Sequence, residues 1–283
     1  MFEMTELTEQ QRDGIRQLLE DPIFELIPLK NVMEQAAHLP KGARVSVTAS
    51  PTKTLEDTIE LAGELAAMGM RAIPHISARM TKDRHHLARL VDRMDQIGLE
   101  SVFVIGGDAE FDGEFYDAET LLVAMESIGH PFTEIGIGSY PEGHHVFDDA
   151  TAVAALAAKQ VFASTMTTQM CFSGEAIASW TAEMRAAGIH LPIVLGIPGV
   201  ADRLKLMRIA TRIGVGQSAR FLAHNKSLLR TFVQPGGYSP DELLESMADT
   251  IIDERAGIVG THIYTFNQVE TTERWRREYL DTL

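Results

Sequence analysis

The chain has 283 residues, 45% hydrophobic and 23% charged, which suits a globular protein with a sizeable core and excludes a disordered or membrane-spanning one. Its formal net charge of −15 argues against nucleic acid or an anionic membrane as a partner, since both need a basic face. The lone cysteine, Cys171, excludes an internal disulfide and a cysteine-rich metal site.

In chain order, the first twenty residues carry Glu3, Glu6, Glu9 and Asp13 and lack the basic and apolar regions of a signal peptide, so a cytoplasmic protein is expected. The spacing of Ile15, Leu18 and Leu19 predicts a helix over 7–20 with Thr8 as its N-cap. Apolar runs at 23–28, 44–49, 72–77 and 101–105 then read as strands, separated by helical patterns near 30–38 and 54–69. The fourth strand, Ser101-Val102-Phe103-Val104-Ile105, closes on Gly106-Gly107-Asp108, where a sharp turn leaves a carboxylate at a strand's C-terminal end. Further strands are expected at 135–140, 165–170, 192–197 and 261–266. The interval between the last two carries helical patterns near 202–213 and 217–231, a loop at 234–238, and a helix opening at Ser239-Pro240-Asp241-Glu242 with proline in its first position. The C-terminal run Glu273-Arg274-Trp275-Arg276-Arg277-Glu278 reads as a solvated helix covering the rest.

Eight strands alternating with helices predict an α/β (β/α)8 TIM barrel, one domain over 1–283 with an N-terminal helix and extra helices between strands seven and eight. A doubly wound sheet usually has a glycine fingerprint after its first strand, and Ile27-Pro28-Leu29-Lys30-Asn31 has no glycine. Barrel strands should be almost continuously apolar, so polar residues within or just after them either face the ligand mouth or are satisfied in the core. Here they form a near-complete series: Glu25, Thr48, His75 with Ser77, Asp108, Tyr140 with Glu142 and His144, Gln169, and Tyr264 with Asn267. Each has an ordinary alternative: Asp108 could cap a turn, His75 could be a bonded core histidine, and Gln169 could close a buried amide network.

The ordered set Phe24-Glu25-x-x-Pro28, Val45-Ser46-Val47-Thr48, Pro74-His75-Ile76, Gly107-Asp108, Tyr140-Pro141-Glu142-x-His144, Thr168-Gln169-x-x-Phe172 and Tyr264-Thr265-Phe266-Asn267 resembles the methylenetetrahydrofolate reductase family over nearly the whole chain. The resemblance implies an oxidoreductase of one-carbon metabolism that reduces 5,10-methylenetetrahydrofolate to 5-methyltetrahydrofolate. NADH or NADPH would be the hydride donor, and FAD would lie over the barrel mouth. It implies Glu25 as the acid that protonates the departing N10, and Asp108 as the carboxylate that stabilises the iminium cation and tunes the flavin. Thr48, His75, Gly107, Tyr140, His144 and Lys159 would hold cofactor, with Gln169 and Tyr264 joining Glu25 on the folate. No metal, nucleic acid or membrane enters this picture, and a homo-oligomer is compatible with it.

The departures are as informative. Where the family presents leucine-arginine-glycine-aspartate, this chain has Ile105-Gly106-Gly107-Asp108, without the phosphate-facing arginine. The helix that carries asparagine, aspartate and an arginine-lysine pair reads Ala152-Val153-Ala154-Ala155-Leu156-Ala157-Ala158-Lys159, with one lysine kept. Loss of charge-assisted bonds, each worth roughly 1.5 to 3 kcal/mol, puts the FAD diphosphate in question and leaves direct hydride transfer from NADH as the fallback. The rival readings are a folate-binding barrel for methyl transfer and a non-catalytic folate- or partner-binding homologue.

Overall fold

The computed structural model describes residues 6–50, 52–144, 146–200 and 239–283. Eight parallel strands close into a barrel in chain order. They are β1 (Ile23–Leu26), β2 (Arg44–Val47), β3 (Arg71–Ser77), β4 (Ser101–Ile105), β5 (Glu134–Ser139), β6 (Thr165–Thr168), β7 (Ile193–Pro198) and β8 (Ile258–Tyr264). The described helices are α1 (Glu9–Glu20), α2 (Val32–Ala36), α3 (Leu55–Ala67), α4 (Arg84–Ile97), α5 (Ala118–Ile128), α6 (Asp149–Lys159), α7 (Gly174–Ala186), α8 (Asp241–Ser246), α9 (Ala248–Ile252) and α10 (Val269–Leu280). The chain is thus a (β/α)8 TIM barrel. The helical patterns near 202–213 and 217–231 and the loop at 234–238 lie outside the described residues.

Alternation along each strand sorts the residues into two cores. Phe24, Leu26, Val45, Val47, Val102, Val104, Ile135 and Ile137 face outward and pack in one continuous cluster with helix residues such as Ile59, Leu65, Leu90, Leu121 and Ile177. Ile23, Ile73 and Val194, with Phe103 against them, form a separate small cluster inside the barrel. Gly136 makes room for Phe103 there, since a Cβ would sit 2.6 Å from its ring. Below, Arg44 pairs with Glu134, which also accepts from Ser101 Oγ at 3.1 Å, so the barrel's N-terminal end is closed by a paired and bonded charge. The alternation that turns Ile23 inward also turns Glu25 inward, one level nearer the open C-terminal mouth.

Several boundaries move for identifiable reasons. Thr8 does cap α1, in a reciprocal box with Gln11, but the helix proper starts at Glu9. Pro240 is the residue before α8 rather than its first residue, and α8 ends at Ser246. β6 stops at Thr168, whose hydroxyl accepts from Gly196 N at 2.7 Å; β8 begins earlier than its apolar run, at Ile258, where Ile193 pairs with it before a register shift. The C-terminal helix α10 is not merely a solvated cover. Glu273 and Arg276 are buried against each other at 2.7 Å, and Arg276 also donates to Leu19 O at 2.8 Å. Long charged side chains here tie α10 to the end of α1. The β1/β8 seam is closed by few ladder pairs, Ile23 with His262 and Phe24 with Ile263. Beyond them Asn267 accepts from Ile27 N and donates to Ile27 O, both at 2.9 Å, acting as one more rung. Asn267 holds a positive φ of 54° to do so, in the left-handed region that asparagine tolerates better than most residues.

Candidate active site

Glu25 is the centre of the site. It is 8% exposed in the lumen, and burial alone pushes its carboxyl from 4.5 up to about 8. Above it stands Tyr264 at the end of β8, whose hydroxyl donates to Thr168 O at 3.1 Å. Burial raises the Tyr264 phenol well above its ordinary range, and the nearby acidic groups Glu25, Tyr140 and Cys171 add to the rise. The phenol is therefore a fixed donor at neutral pH and Glu25 a neutral acid. His75, on β3, lies deep in the same lumen, 7% exposed, its ring 4.7 Å from that of Phe103. Burial lowers it to about 3, so it is a neutral imidazole.

The rest of the predicted set lines the rim. Asp108 follows β4 and is exposed. Gly107 makes that turn possible: its φ is +86°, and a Cβ there would sit 2.0 Å from Ser77 Oγ. The Asp108 carboxylate reaches Tyr140, whose phenol is raised first by burial and then by that charge. Thr48 is half-buried at the end of β2, its backbone N–H bonded to Leu26 O at 3.1 Å. Gln169 follows β6; its N–H donates to Ser139 O at 2.7 Å, and its side-chain oxygen accepts from Met170 N at 2.8 Å, which fixes the amide at the rim. His144 belongs to an aromatic group on its own loop, stacked on Phe147 at 4.0 Å and edge-on to Tyr140 at 4.6 Å. Glu142 shares a hydrogen bond with the buried Cys171 thiol; burial raises the carboxyl to about 7 and the thiol well above 9.

Lys159 is set apart from this group. It ends α6, is buried, and faces the carboxylates of Asp117 and Glu119 at the start of α5; burial lowers its pKa and those charges partly restore it. Beside the mouth, a cavity of about 290 Å³ opens between α6 and α7, lined by Glu142, Asp149, Leu156, Trp180, Glu183 and Met184. Its charged lining is acidic. Among the described residues, α6 therefore offers an FAD diphosphate a single cation, the buried Lys159, beside an acidic cavity, a poor fit to a tightly held dinucleotide phosphate. No group of three or more His, Cys, Asp or Glu among the described residues could hold a metal ion. Nor is any helix among them long and apolar enough to cross a membrane.

Two residues of the lumen were not assigned roles from the sequence. Ser46 Oγ and His262 Nε2 lie 2.8 Å apart, both buried. Their signal was present as polar residues alternating with Thr48 and Tyr264 on the same inward-facing register. It was hidden inside runs of β-prone residues.

A closed parallel barrel with a buried acid beneath its C-terminal mouth has the layout of the barrel enzymes, whose ligands bind at that end. The methylenetetrahydrofolate reductase family profile matches residues 26–275, beginning one residue after Glu25, and the chain belongs to that family. Membership points to an oxidoreductase, in a family whose members typically use a flavin. Solved structures with a similar outline include a proposed phosphonomutase from Burkholderia cenocepacia J2315, 8% identical with a TM-score of 0.48, covering 96% of this chain and 98% of that one. A proposed lyase/mutase from the same organism is 14% identical with a TM-score of 0.46, over 97% of this chain and 86% of that one. Oxaloacetate acetylhydrolase with 3,3-difluorooxalacetate is 14% identical with a TM-score of 0.44, over 88% and 98%. Likenesses of this degree say nothing about chemistry.

Proposed function

We propose that this protein reduces 5,10-methylenetetrahydrofolate to 5-methyltetrahydrofolate with NADH or NADPH, passing hydride directly from the nicotinamide to the folate. The observation that carries the reading is Glu25, a carboxylic acid kept neutral by burial at the base of an open mouth. The folate's five-membered ring must open before it accepts hydride, and opening needs a proton on N10. Glu25 gives that proton, the N10–methylene bond breaks, and its electron pair stays on N10. The resulting N5-iminium carbon takes hydride from the dihydronicotinamide, leaving 5-methyltetrahydrofolate and the oxidised nicotinamide. Glu25 regains its proton from solvent.

Asp108 on the rim stabilises the iminium charge, and Gln169 and Tyr264 orient the pterin by hydrogen bonds. Thr48, His144 and Tyr140 border the space where the nicotinamide docks. Direct transfer is favoured over a resident flavin because α6 carries one lysine, Lys159, buried at its end, and the cavity beside the helix has an acidic charged lining. A resident cofactor needs tight phosphate contacts, whereas a dissociating cosubstrate tolerates weak ones. Bound FAD would supply a relay for the same hydride.

The test is the absorbance of the purified protein before and after FAD and desalting, followed by NADH oxidation coupled to methyltetrahydrofolate formation. A colourless protein that turns over folate supports the reading. A retained flavin band bleached by NADH and restored by the folate would replace direct transfer with a flavin route. Absence of any NADH-dependent folate reduction would sink the reductase reading and favour methyl transfer or folate binding alone.

A further inference from the structure

β1 lies between β2 and β8, and its Glu25 is level with Ser46 on one side, while Ile23, one level lower, is opposite His262 on the other. The 2.8 Å bond between Ser46 Oγ and His262 Nε2 therefore runs across the lumen in front of β1, between Ile23 and Glu25. The bond is dry: Ser46 is 1% and His262 3% exposed. The His262 ring is also edge-on to Tyr264 at 4.7 Å and, across the lumen, 6.5 Å from Phe103, whose ring lies 4.7 Å from His75 on the neighbouring β3. By register Ser46 is level with Glu25 and His262 one level below it, so this group of side chains lines the lumen beside and beneath that residue.

The floor is uncharged by construction. A protonated imidazole has two N–H donors to satisfy, and the lumen gives His262 one partner, Ser46; its Nδ1 has none among the described residues, and neither has His75 Nε2. Burial, with the neighbouring His75 and Arg44, holds His262 down at about 3. The titratable groups around Glu25 are His262 and Tyr264 on β8, His75 on β3, Tyr140 after β5, and Cys171 with its partner Glu142. A cation in the floor would favour the carboxylate, and a gap in it would admit water to the same effect.

We propose that His262, clamped by Ser46, is the positioning residue of this site, a neutral floor that seals the Glu25 carboxyl from water below and leaves the mouth as its one outlet. The inference rests on the reading of Glu25 as the proton donor to folate, yet it is tested apart from turnover. The readout is the carboxyl C=O band in a pH-dependent infrared difference spectrum, assigned to Glu25 by its loss in Glu25→Gln. In His262→Ala the band's pH midpoint is expected to fall by about one pH unit or more, and in His262→Asn, which keeps a hydrogen-bonding group, it should stay near the parent value. Ser46→Ala, which leaves the ring unclamped without opening a large gap, should give a smaller fall and serves if His262→Ala does not fold. A midpoint unchanged in folded His262→Ala, or in Ser46→Ala where His262→Ala fails to fold, overturns the positioning role. A parent that fails to reduce folate while the midpoint still falls in His262→Ala overturns the reductase reading and leaves the floor standing.

Discussion

The two halves of the mouth are built on opposite principles. On the side of β8, β1, β2 and β3, buried groups converge on Glu25, and burial moves Glu25, His75, His262 and Tyr264 toward their uncharged forms. On the side of β4, β5 and α6, charges are kept: Asp108 lies at the surface, and the buried Lys159 has the charges of Asp117 and Glu119 partly restoring what burial takes from it. The first half is suited to moving a proton out of reach of water. The second offers few cations to a diphosphate, which is the contrast on which the proposed direct transfer rests.

The sharpest way to break this comparison is Glu25→Gln. Removing a general acid should lower folate reduction by about 10²- to 10⁴-fold, with nicotinamide affinity measured by fluorescence titration unchanged. In the parent, folate reduction should decline as pH rises through about 8, the point at which Glu25 loses its proton, and a profile flat from pH 6 to 10 would contradict its role. Gly196→Ala probes the same half through its packing. A Cβ there would lie 1.9 Å from Thr168 O and 2.9 Å from the Tyr264 ring, so chemical denaturation should register a loss of about 3 kcal/mol.

A subtler effect comes from His75. Its folded pKa, about 3, lies below its ordinary 6.5, so its stability contribution is complete above 6.5 and is lost as pH falls toward 3. Glu25 acts in the opposite sense, its contribution being lost as pH rises from 4.5 to about 8, so the comparison must be between parent and variant. His75→Asn should reduce the acid-side loss by about 1.4 kcal/mol per pH unit below 6.5. The smallest effect is expected across the mouth: Lys159→Gln should change nicotinamide affinity, read by calorimetry, by less than about twofold, because the lysine is buried at the end of α6 and little exposed to a ligand. A large loss there would restore α6 as a phosphate site.

The barrel was legible because every strand carries a short β-prone run and the intervening patterns repeat at helical period. The inward-facing glutamate was legible too, since a carboxylate in Ile23-Phe24-Glu25-Leu26 must either face the ligand mouth or be satisfied in the core. What the run could not say is which face is the lumen: with four buried residues in a row, alternation is invisible until the neighbours' register is known. The same ambiguity hid His262 within Thr261-His262-Ile263-Tyr264. Lys159 is the one cation of its helix, but the carboxylates whose charge acts on it, Asp117 and Glu119, stand at the start of α5, one strand earlier, a tertiary fact that no local pattern encodes. The C-terminal helix misled because Glu273 and Arg276 have the composition of a solvated face, and their mutual bond, the Arg277 guanidinium on Glu273 and the carbonyl of Leu19 make burial tolerable.

The Asn267 rung has a consequence for assembly. It joins residues 240 apart in sequence, and it closes the seam between β1 and β8 together with two ladder pairs and the bond from the Thr265 hydroxyl to Glu25 O. Such a contact carries a large loop-closure cost and is rewarded only after the intervening strands are in order. Until then β1 is an apolar edge without a neighbour on one side, the kind of edge that recruits other chains. An Asn267→Ala chain would accordingly be expected to reveal itself first in refolding yield at rising concentration, while the amides of β1 exchange with solvent ahead of those on β3 and β4.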